Sequence, residues 1–416
     1  MKETVKKRWT NPARYGVTLL KWVLIGALIG GIGGVVGALF HIGVDHAAEL
    51  RVEHPWVLYL LPVVGIAIAG LYRLTKTEGK GTNDIIDSVH FGAEIPWLLV
   101  PVIFLSTILT HLGGGSAGRE GAALQIGGGI GYRTGRLLRL GEKELPLATL
   151  CGMSGVFAAL FGTPMAATIF ALEVVSVGVM HYAGLVPCLV SALSAYLIAG
   201  LMSVPPTRFT VVMPGLEISL LLRAAILAIL CSLVSILFCR IIHGVEHLLA
   251  HWFKNSFLRV ALGGAVLVVL TLLLGTDYNG AGMEVIDRAV AGEAFGWAWL
   301  LKILFTALTI GSGFKGGEVV PSFFVGATFG CVAGSLLGLP AGMGAAIGMI
   351  CVFCGAVNCP IASVFLSIEL FGAEGILYFA LGCAISYLLS GYCGLYSSQT
   401  IVYSKMRTEM VNINPR

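Results

Sequence analysis

The sequence predicts an all-α polytopic membrane protein, and three observations lead to that fold class. Of its 416 residues, 57% are hydrophobic and only 12% are charged, against roughly a quarter charged in soluble proteins. Hydrophobic stretches recur from about residue 16 to residue 391, and several are long enough to cross the ~30 Å hydrocarbon layer of a bilayer as helices. The second half of the chain also repeats the first. These features exclude a soluble enzyme and make the lipid bilayer the expected surroundings.

The placement of the basic residues predicts the topology. The net charge of +4 is too small to suggest a nucleic-acid partner. Basic residues precede the first hydrophobic segment and follow the last: Lys2, Lys6, Lys7, Arg8 and Arg14, then Lys405, Arg407 and Arg416. By the positive-inside rule, both ends are expected in the cytoplasm, with an even number of membrane crossings.

An internal duplication is visible at an offset of 196 residues. Residues 152–173 align with residues 348–369, and Pro164 and Pro360 interrupt hydrophobic stretches at matching places, where a helix should break or kink. We therefore predict a first membrane repeat over 16–205 and a second over 206–400, with cytoplasmic tails at 1–15 and 401–416. Such Gly- and Pro-interrupted repeats are typical of transporters that bind their substrate at the midplane between the repeats. The offset alone leaves open whether the repeats are inverted.

The glycine-rich segment 113–131 is a candidate anion site. A polar loop containing Gly118, Arg119 and Gly121 opens directly into a hydrophobic segment, which predicts a buried helix start. Backbone N–H groups and the positive end of the helix dipole favour an anion there. Glu120 lies in the same loop, and a carboxylate at membrane depth is functional by default. It could occupy the anion's own place, or carry a proton when neutral.

The corresponding segment of the second half, 311–330, is predicted to be another broken helix. Its Lys315-Gly316-Gly317 step precedes Glu318, so two acidic groups, Glu120 and Glu318, could face one pocket. A third loop, residues 79–82, contains Lys80, which could supply an ammonium donor. The alternative is that all three are ordinary loops in contact with solvent, with both glutamates as surface acids.

Several motifs resemble those of the CLC family of chloride channels and anion/proton antiporters. They occur in the family's order and at about its spacing: GREG at 118–121 followed by Gln125 and Gly127, GGEVVP at 316–321 followed by GATFG, and GLYS at 394–397. The resemblance covers nearly all of the chain and lacks only the cytoplasmic regulatory (CBS) domains of many members. It implies a homodimer with a separate pore in each subunit, each built from two inverted repeats of broken, tilted helices.

The resemblance also implies roles for particular residues. Glu120 matches the gating glutamate of the family, which competes with the anion and shuttles the proton. The central anion would be held by the backbone amides of Glu318 and Val319 and by the hydroxyl of Tyr396. The second, inner glutamate of many exchangers is missing, because Val174 follows Glu173.

Departures from the usual pattern resemble the bacterial fluoride-exporting branch, CLC-F. Lys80 and Asn83 replace a serine and a proline, Ala122 follows GREG, and Glu318 directly follows the double glycine. In that branch the acid matching Glu318 is implicated in proton exchange. Three roles remain open for Lys80: donating to fluoride, pairing with Glu120 or Glu318, or reaching the cytoplasm.

The expected function is export of fluoride from the cytoplasm by exchange with protons, with no cofactor. Chloride/proton exchange and a chloride channel are the alternatives within the same fold. A remote alternative of another class is an intramembrane zinc metalloprotease, because His243, Glu246 and His247 have H-x-x-E-H spacing. The amphipathic end of a helix at the membrane surface would give the same pattern.

Overall fold

The computed structural model describes residues 12–415, and it confirms the predicted all-α membrane fold. Within this range 16 α-helices account for most of the chain. Of the basic residues used to predict the topology, Lys2, Lys6, Lys7, Arg8 and Arg416 lie outside the described residues.

The described part of the first half contains eight α-helices and two 3₁₀ helices, at Pro55–Leu60 and Tyr182–Gly184. In chain order the α-helices are α1 (Pro12–Glu53), α2 (Leu61–Leu74), α3 (Thr82–Phe91), α4 (Leu99–Gly113), α5 (Glu120–Leu137), α6 (Leu145–Phe161), α7 (Pro164–Glu173) and α8 (Leu185–Leu201).

The second half contains eight α-helices in the same order of long and short elements. They are α9 (Ile218–Trp252), α10 (Ser256–Leu274), α11 (Met283–Val290), α12 (Ala298–Ser312), α13 (Val319–Leu336), α14 (Ala341–Val357), α15 (Pro360–Phe371) and α16 (Ile376–Leu389). Pro164 and Pro360 are the first residues of α7 and α15, where the missing N–H of proline leaves no helical hydrogen bond unmade. Each proline therefore starts a short helix in the middle of a hydrophobic stretch.

Six helical stretches of the described chain are long and apolar enough to cross a membrane. They are Arg14–Glu53, Pro55–Leu74, Tyr182–Leu201, Ile218–Trp252, Ser256–Leu274 and Val319–Leu336. Several shorter apolar helices, including α7 and α15, do not reach that length. Short helices that start inside the protein place polar loop residues at membrane depth, which is tolerated only where protein surrounds them.

Contacts between the halves are reciprocal. The N–H of Gly118 donates to the carbonyl of Gly317 at 2.6 Å, and the N–H of Gly317 donates back to Gly118 at 2.7 Å. A second exchange pairs the N–H of Ser116 with the hydroxyl of Thr309 at 3.0 Å and the N–H of Lys315 with the hydroxyl of Thr110 at 3.2 Å. Matching positions therefore swap partners across an approximate two-fold axis, as inverted repeats require.

Close helix packing explains much of the glycine content. A Cβ added to Gly127 on α5 would collide with the carbonyl of Gly152 on α6. The second half repeats this contact between Gly326 on α13 and Gly348 on α14. Small residues allow such backbone approach between membrane helices.

A small sheet joins the C-terminal segment to the first half. The strand β1 (Ser176–Val177) pairs in parallel with β2 (Thr400–Tyr403), which pairs antiparallel with β3 (Met410–Ile413). Much of the segment that was expected to be a simple tail, 401–416, is thus held against the end of α7.

Candidate functional site

The N-termini of α5 and α13 meet at the centre of the molecule. Gly118 and Gly317, which precede the two helices, form an isolated antiparallel bridge, so Glu120 and Val319 begin helices on either side of it. The first N–H groups of a helix have no partner within the helix, and the dipoles of both helices place positive charge here. The sequence predicted two such starts, and the structure brings them together.

The Glu120 carboxylate occupies this junction. Glu120 is only 1% exposed, which excludes the alternative that it is a surface acid. Its Oε2 accepts a hydrogen bond from the N–H of Arg119 at 2.9 Å, and it also interacts with the backbone N–H of Val320 in the first turn of α13. A Cβ on Gly118 would collide with Oε2. The glycine therefore gives the carboxylate room at the start of the opposite helix.

Two further predicted residues, Tyr396 and Glu318, lie near the helix junction. Tyr396 is 2% exposed, and its hydroxyl has no hydrogen-bond partner among residues 12–415. It lies within electrostatic range of both Glu318 and Glu120. A buried donor without a partner costs free energy that a bound anion would recover. Glu318 is the residue immediately before α13, and it interacts electrostatically with Lys315, which belongs to the same loop.

The loop that carries Tyr396 is fixed by a polar network that sequence reasoning missed. Asn358 at the end of α14 donates to the carbonyl of Cys393 at 3.0 Å and to the side chain of Gln399 at 3.2 Å. Gln399 in turn donates to the carbonyls of Val174 and Val357, and the ammonium of Lys405 donates to Asn358. These bonds leave little freedom for the Tyr396 loop.

Thr82, Asn83 and Gln125 also join the site. The Gln125 amide donates to the Thr82 hydroxyl at 3.1 Å, and that hydroxyl lies 3.4 Å from the carbonyl of Gly121. The Asn83 side chain accepts from the N–H of Ser398 at 3.1 Å. The sequence signal available for these contacts was the polar pair Thr82-Asn83 at the start of a short helix and the polar Gln125 shortly after the GREG motif.

Lys80 does not pair with either glutamate. Its Nζ lies 2.6 Å from Oδ1 of Asp84, four residues further along the chain, and its side chain is 42% exposed. Asp84 also accepts from the N–H of Gly81 at 2.8 Å, as the acid of an N-terminal helix cap does. Of the three roles left open for Lys80, pairing with Glu120 or Glu318 is not the one observed, because the start of α3 supplies Asp84 as its carboxylate partner.

The Arg119 side chain lies between the helix junction and an acid on α1. Its guanidinium contacts Asp45 on α1 at 2.7 Å, and its Nε lies 3.8 Å from Oε1 of Glu120. Asp45 also contacts His41 at 2.9 Å. Arg119 was predicted to bind the anion. Its backbone N–H lies at the junction, whereas its guanidinium pairs with Asp45.

His243, Glu246 and His247 do not form a metal site. The Nε2 of His243 is hydrogen-bonded to the carbonyl of Gly394 at 3.0 Å, while Glu246 and His247 are exposed. Residues 12–415 contain no group of three or more His, Cys, Asp or Glu side chains that could hold a metal ion. The zinc interpretation of the H-x-x-E-H spacing is therefore wrong.

Comparison with known proteins identifies the family. Residues 64–391 match the family model described as voltage gated chloride channel. The chain is 36% identical to a chloride/fluoride channel protein of Pseudomonas syringae pv. tomato, over 93% of this chain and 88% of the relative. A crystal structure of a CLC-type fluoride/proton antiporter superposes with a TM-score of 0.88 at 32% identity, covering 92% of this chain and 98% of the other.

A slow cyanobacterial Cl⁻/H⁺ antiporter shares the fold, with a TM-score of 0.74 at 19% identity, over 89% of this chain and 94% of the other. An H⁺/Cl⁻ exchange transporter of Vibrio vulnificus is 24% identical over 95% of this chain and 93% of the relative. The extent of the family match, together with the paired helix N-termini and their buried glutamate, shows that this chain is a member of the CLC family of voltage-gated chloride channels and transporters.

Proposed function

We propose that this protein exchanges fluoride for protons across the membrane and so exports fluoride from the cytoplasm. The observation that carries the proposal is the position of Glu120, whose buried carboxylate lies where two helix N-termini meet. Two helix starts favour a negative charge at this point. A carboxylate that holds such a position competes with an anion for it, and protonation removes that competition.

In this mechanism the anion replaces the Glu120 carboxylate when Glu120 binds a proton. The hydroxyl of Tyr396, which is buried without a partner among the described residues, would donate to the anion. The backbone amides of Glu318 and Val319 at the start of α13 would supply further donors. Glu318 would take part in proton transfer, because it lies within electrostatic range of Tyr396, as Glu120 does.

Fluoride is favoured over chloride by the relatives of higher identity. The Pseudomonas syringae protein is a chloride/fluoride channel protein, and the structure with a TM-score of 0.88 is a fluoride/proton antiporter. Chloride/proton exchange, or a chloride channel in the same fold, is the second candidate. Relatives that exchange chloride support it at lower identity.

The decisive experiment is anion efflux from proteoliposomes loaded with equal fluoride and chloride, while the external pH is recorded. Fluoride efflux with proton uptake and little movement of chloride is the expected result. Dominant chloride efflux would show that chloride, and not fluoride, is the transported anion. Anion flux without proton movement would show that the protein is a channel.

We further propose two membrane repeats, 16–205 and 206–400, with both ends of the chain in the cytoplasm of a bacterial cell and two chains in a homodimer. Exposed leucines on α8 and α16, such as Leu197 at 63% and Leu377 at 55%, support an apolar partner, either lipid or a second chain. Light scattering of the purified protein in detergent would distinguish a dimer from a monomer by mass.

A further inference from the structure

A cavity separate from the Glu120 junction lies between α2, the start of α10 and the end of α12. Its volume is about 260 Å³, far larger than a single halide ion requires. Three cationic side chains line it, Lys254, Arg259 and Lys315, with Glu78 as the one carboxylate among the lining residues. The lining therefore carries an excess of two positive charges.

The three cations lack direct acidic partners. None of them forms an ion pair with another of residues 12–415, although Lys315 lies within longer electrostatic range of Glu318 and other acids. The ammonium of Lys315 lies 4.6 Å from the ring centroid of Tyr72, and the Nε of Arg259 donates to the carbonyl of Ser312 at 3.4 Å. Arg259 and Lys315 are partly withdrawn from water, whereas Lys254 is exposed at the mouth of the lining. Cationic side chains without a carboxylate partner are available to a bound anion.

Two further features of the lining favour an anion. The hydroxyl of Tyr72 has no hydrogen-bond partner among the described residues, and Tyr72 is only 3% exposed. The lining also contains Ser256, the first residue of the 19-residue helix α10, so the positive end of a helix dipole faces the cavity.

We propose that this cavity binds a phosphate group. The size of the cavity and its three lining cations, one of them a guanidinium, suit a tetrahedral oxyanion, which arginine binds through two parallel hydrogen bonds. Two sources share this chemistry: free inorganic phosphate and the headgroup of an anionic phospholipid. A lipid is within reach, because the outer faces of α2 and α10 expose apolar residues such as Val63 and Val266.

The test measures binding and not transport, so its outcome is independent of the proposed function. The cavity variant carries Lys254→Gln together with Arg259→Gln. The matched control carries Lys143→Gln together with Arg240→Gln, which removes the same charge from two exposed positions outside the cavity. Inorganic phosphate is titrated into the full chain in detergent by calorimetry, and retention of phosphatidylglycerol and phosphatidylcholine is counted by native mass spectrometry.

For free phosphate, we expect one ion per chain and a dissociation constant at least about tenfold higher in the cavity variant, because charged hydrogen-bond donors are lost. For a lipid headgroup, we expect one phosphatidylglycerol retained by the wild type and lost from the cavity variant, with phosphatidylcholine not retained. The control should match the wild type in both. If the double variant aggregates, the single variant Lys254→Gln, at an exposed position, is compared with the wild type instead.

The proposal is overturned if the wild type binds neither ligand. It is also overturned if the cavity variant and the control bind both ligands as the wild type does.

Discussion

Glu173 and Glu369 each cap the short helix that carries the other. Glu173, the last residue of α7, accepts from the N–H groups of Ile361 and Ala362 at 3.2 and 2.8 Å. Glu369 on α15 accepts from the N–H groups of Met165 and Ala166 at 2.9 and 2.8 Å. Both acids therefore act at helix starts, and each carboxylate satisfies two backbone donors that the opposite helix leaves unpaired.

Replacement of either capping acid should destabilise the fold. Glu173→Ala and Glu369→Ala each leave two N–H groups of a helix start unpaired, and we expect a loss of about 1–3 kcal/mol in each case. The measurement is the melting temperature in detergent, with the fraction of folded protein at each temperature determined by size-exclusion chromatography. Glu374→Ala, at an exposed position near α15, is the control. Equal melting of the capping variants and this control would show that the caps contribute nothing.

Glu120→Gln should abolish proton coupling or block transport. The amide keeps the size of the side chain but can neither carry a negative charge into the helix junction nor bind and release a proton. Fluoride and proton fluxes are recorded together in proteoliposomes, with Glu142→Gln in an exposed loop as the control. Normally coupled exchange in Glu120→Gln would exclude Glu120 as the gate.

Tyr396→Phe should weaken anion binding and leave the fold intact. The hydroxyl has no partner among the described residues, so its removal breaks no hydrogen bond within them, yet it deletes a donor for the anion. A hydrogen bond to a charged group contributes about 1.5–3 kcal/mol, so fluoride affinity should fall roughly ten- to a hundredfold. Calorimetry measures this change, and Tyr403→Phe, which alters a tyrosine that is 47% exposed, should leave it unaffected. Unchanged affinity in Tyr396→Phe would mean that Tyr396 is not a ligand.

Lys80→Gln should change anion selectivity very little. Lys80 pairs with Asp84 at a partly exposed position, and such ion pairs contribute about 0–1 kcal/mol. The ratio of fluoride to chloride efflux from proteoliposomes is the measurement, and the wild type is the reference. A change of this ratio by an order of magnitude would mean that Lys80 contributes to anion selectivity.

Features with a strong local cause could be predicted from the sequence. Pro164 and Pro360 start α7 and α15 because proline fits the first turn of a helix and not its interior. The helix starts at Glu120 and Val319 followed from glycine-rich loops that open into hydrophobic segments.

Features that depend on tertiary contacts could not be predicted in this way. The sequence left the role of Lys80 open, and only the fold determines that Asp84 is its partner. The contact between Gln125 and Thr82 depends on how α3 packs against α5. The strands β1 and β2 contain two and four residues, too few for an alternating pattern to be recognised.

The reciprocal bridge between Gly118 and Gly317 has an evolutionary consequence. Each half of the chain supplies one donor and one acceptor to the bridge, and the Thr110 and Thr309 contacts follow the same rule. One half alone thus carries both sides of the central interface. Two copies of a single ancestral half, inserted into the membrane in opposite orientations, could have formed the same junction before gene duplication and fusion joined them.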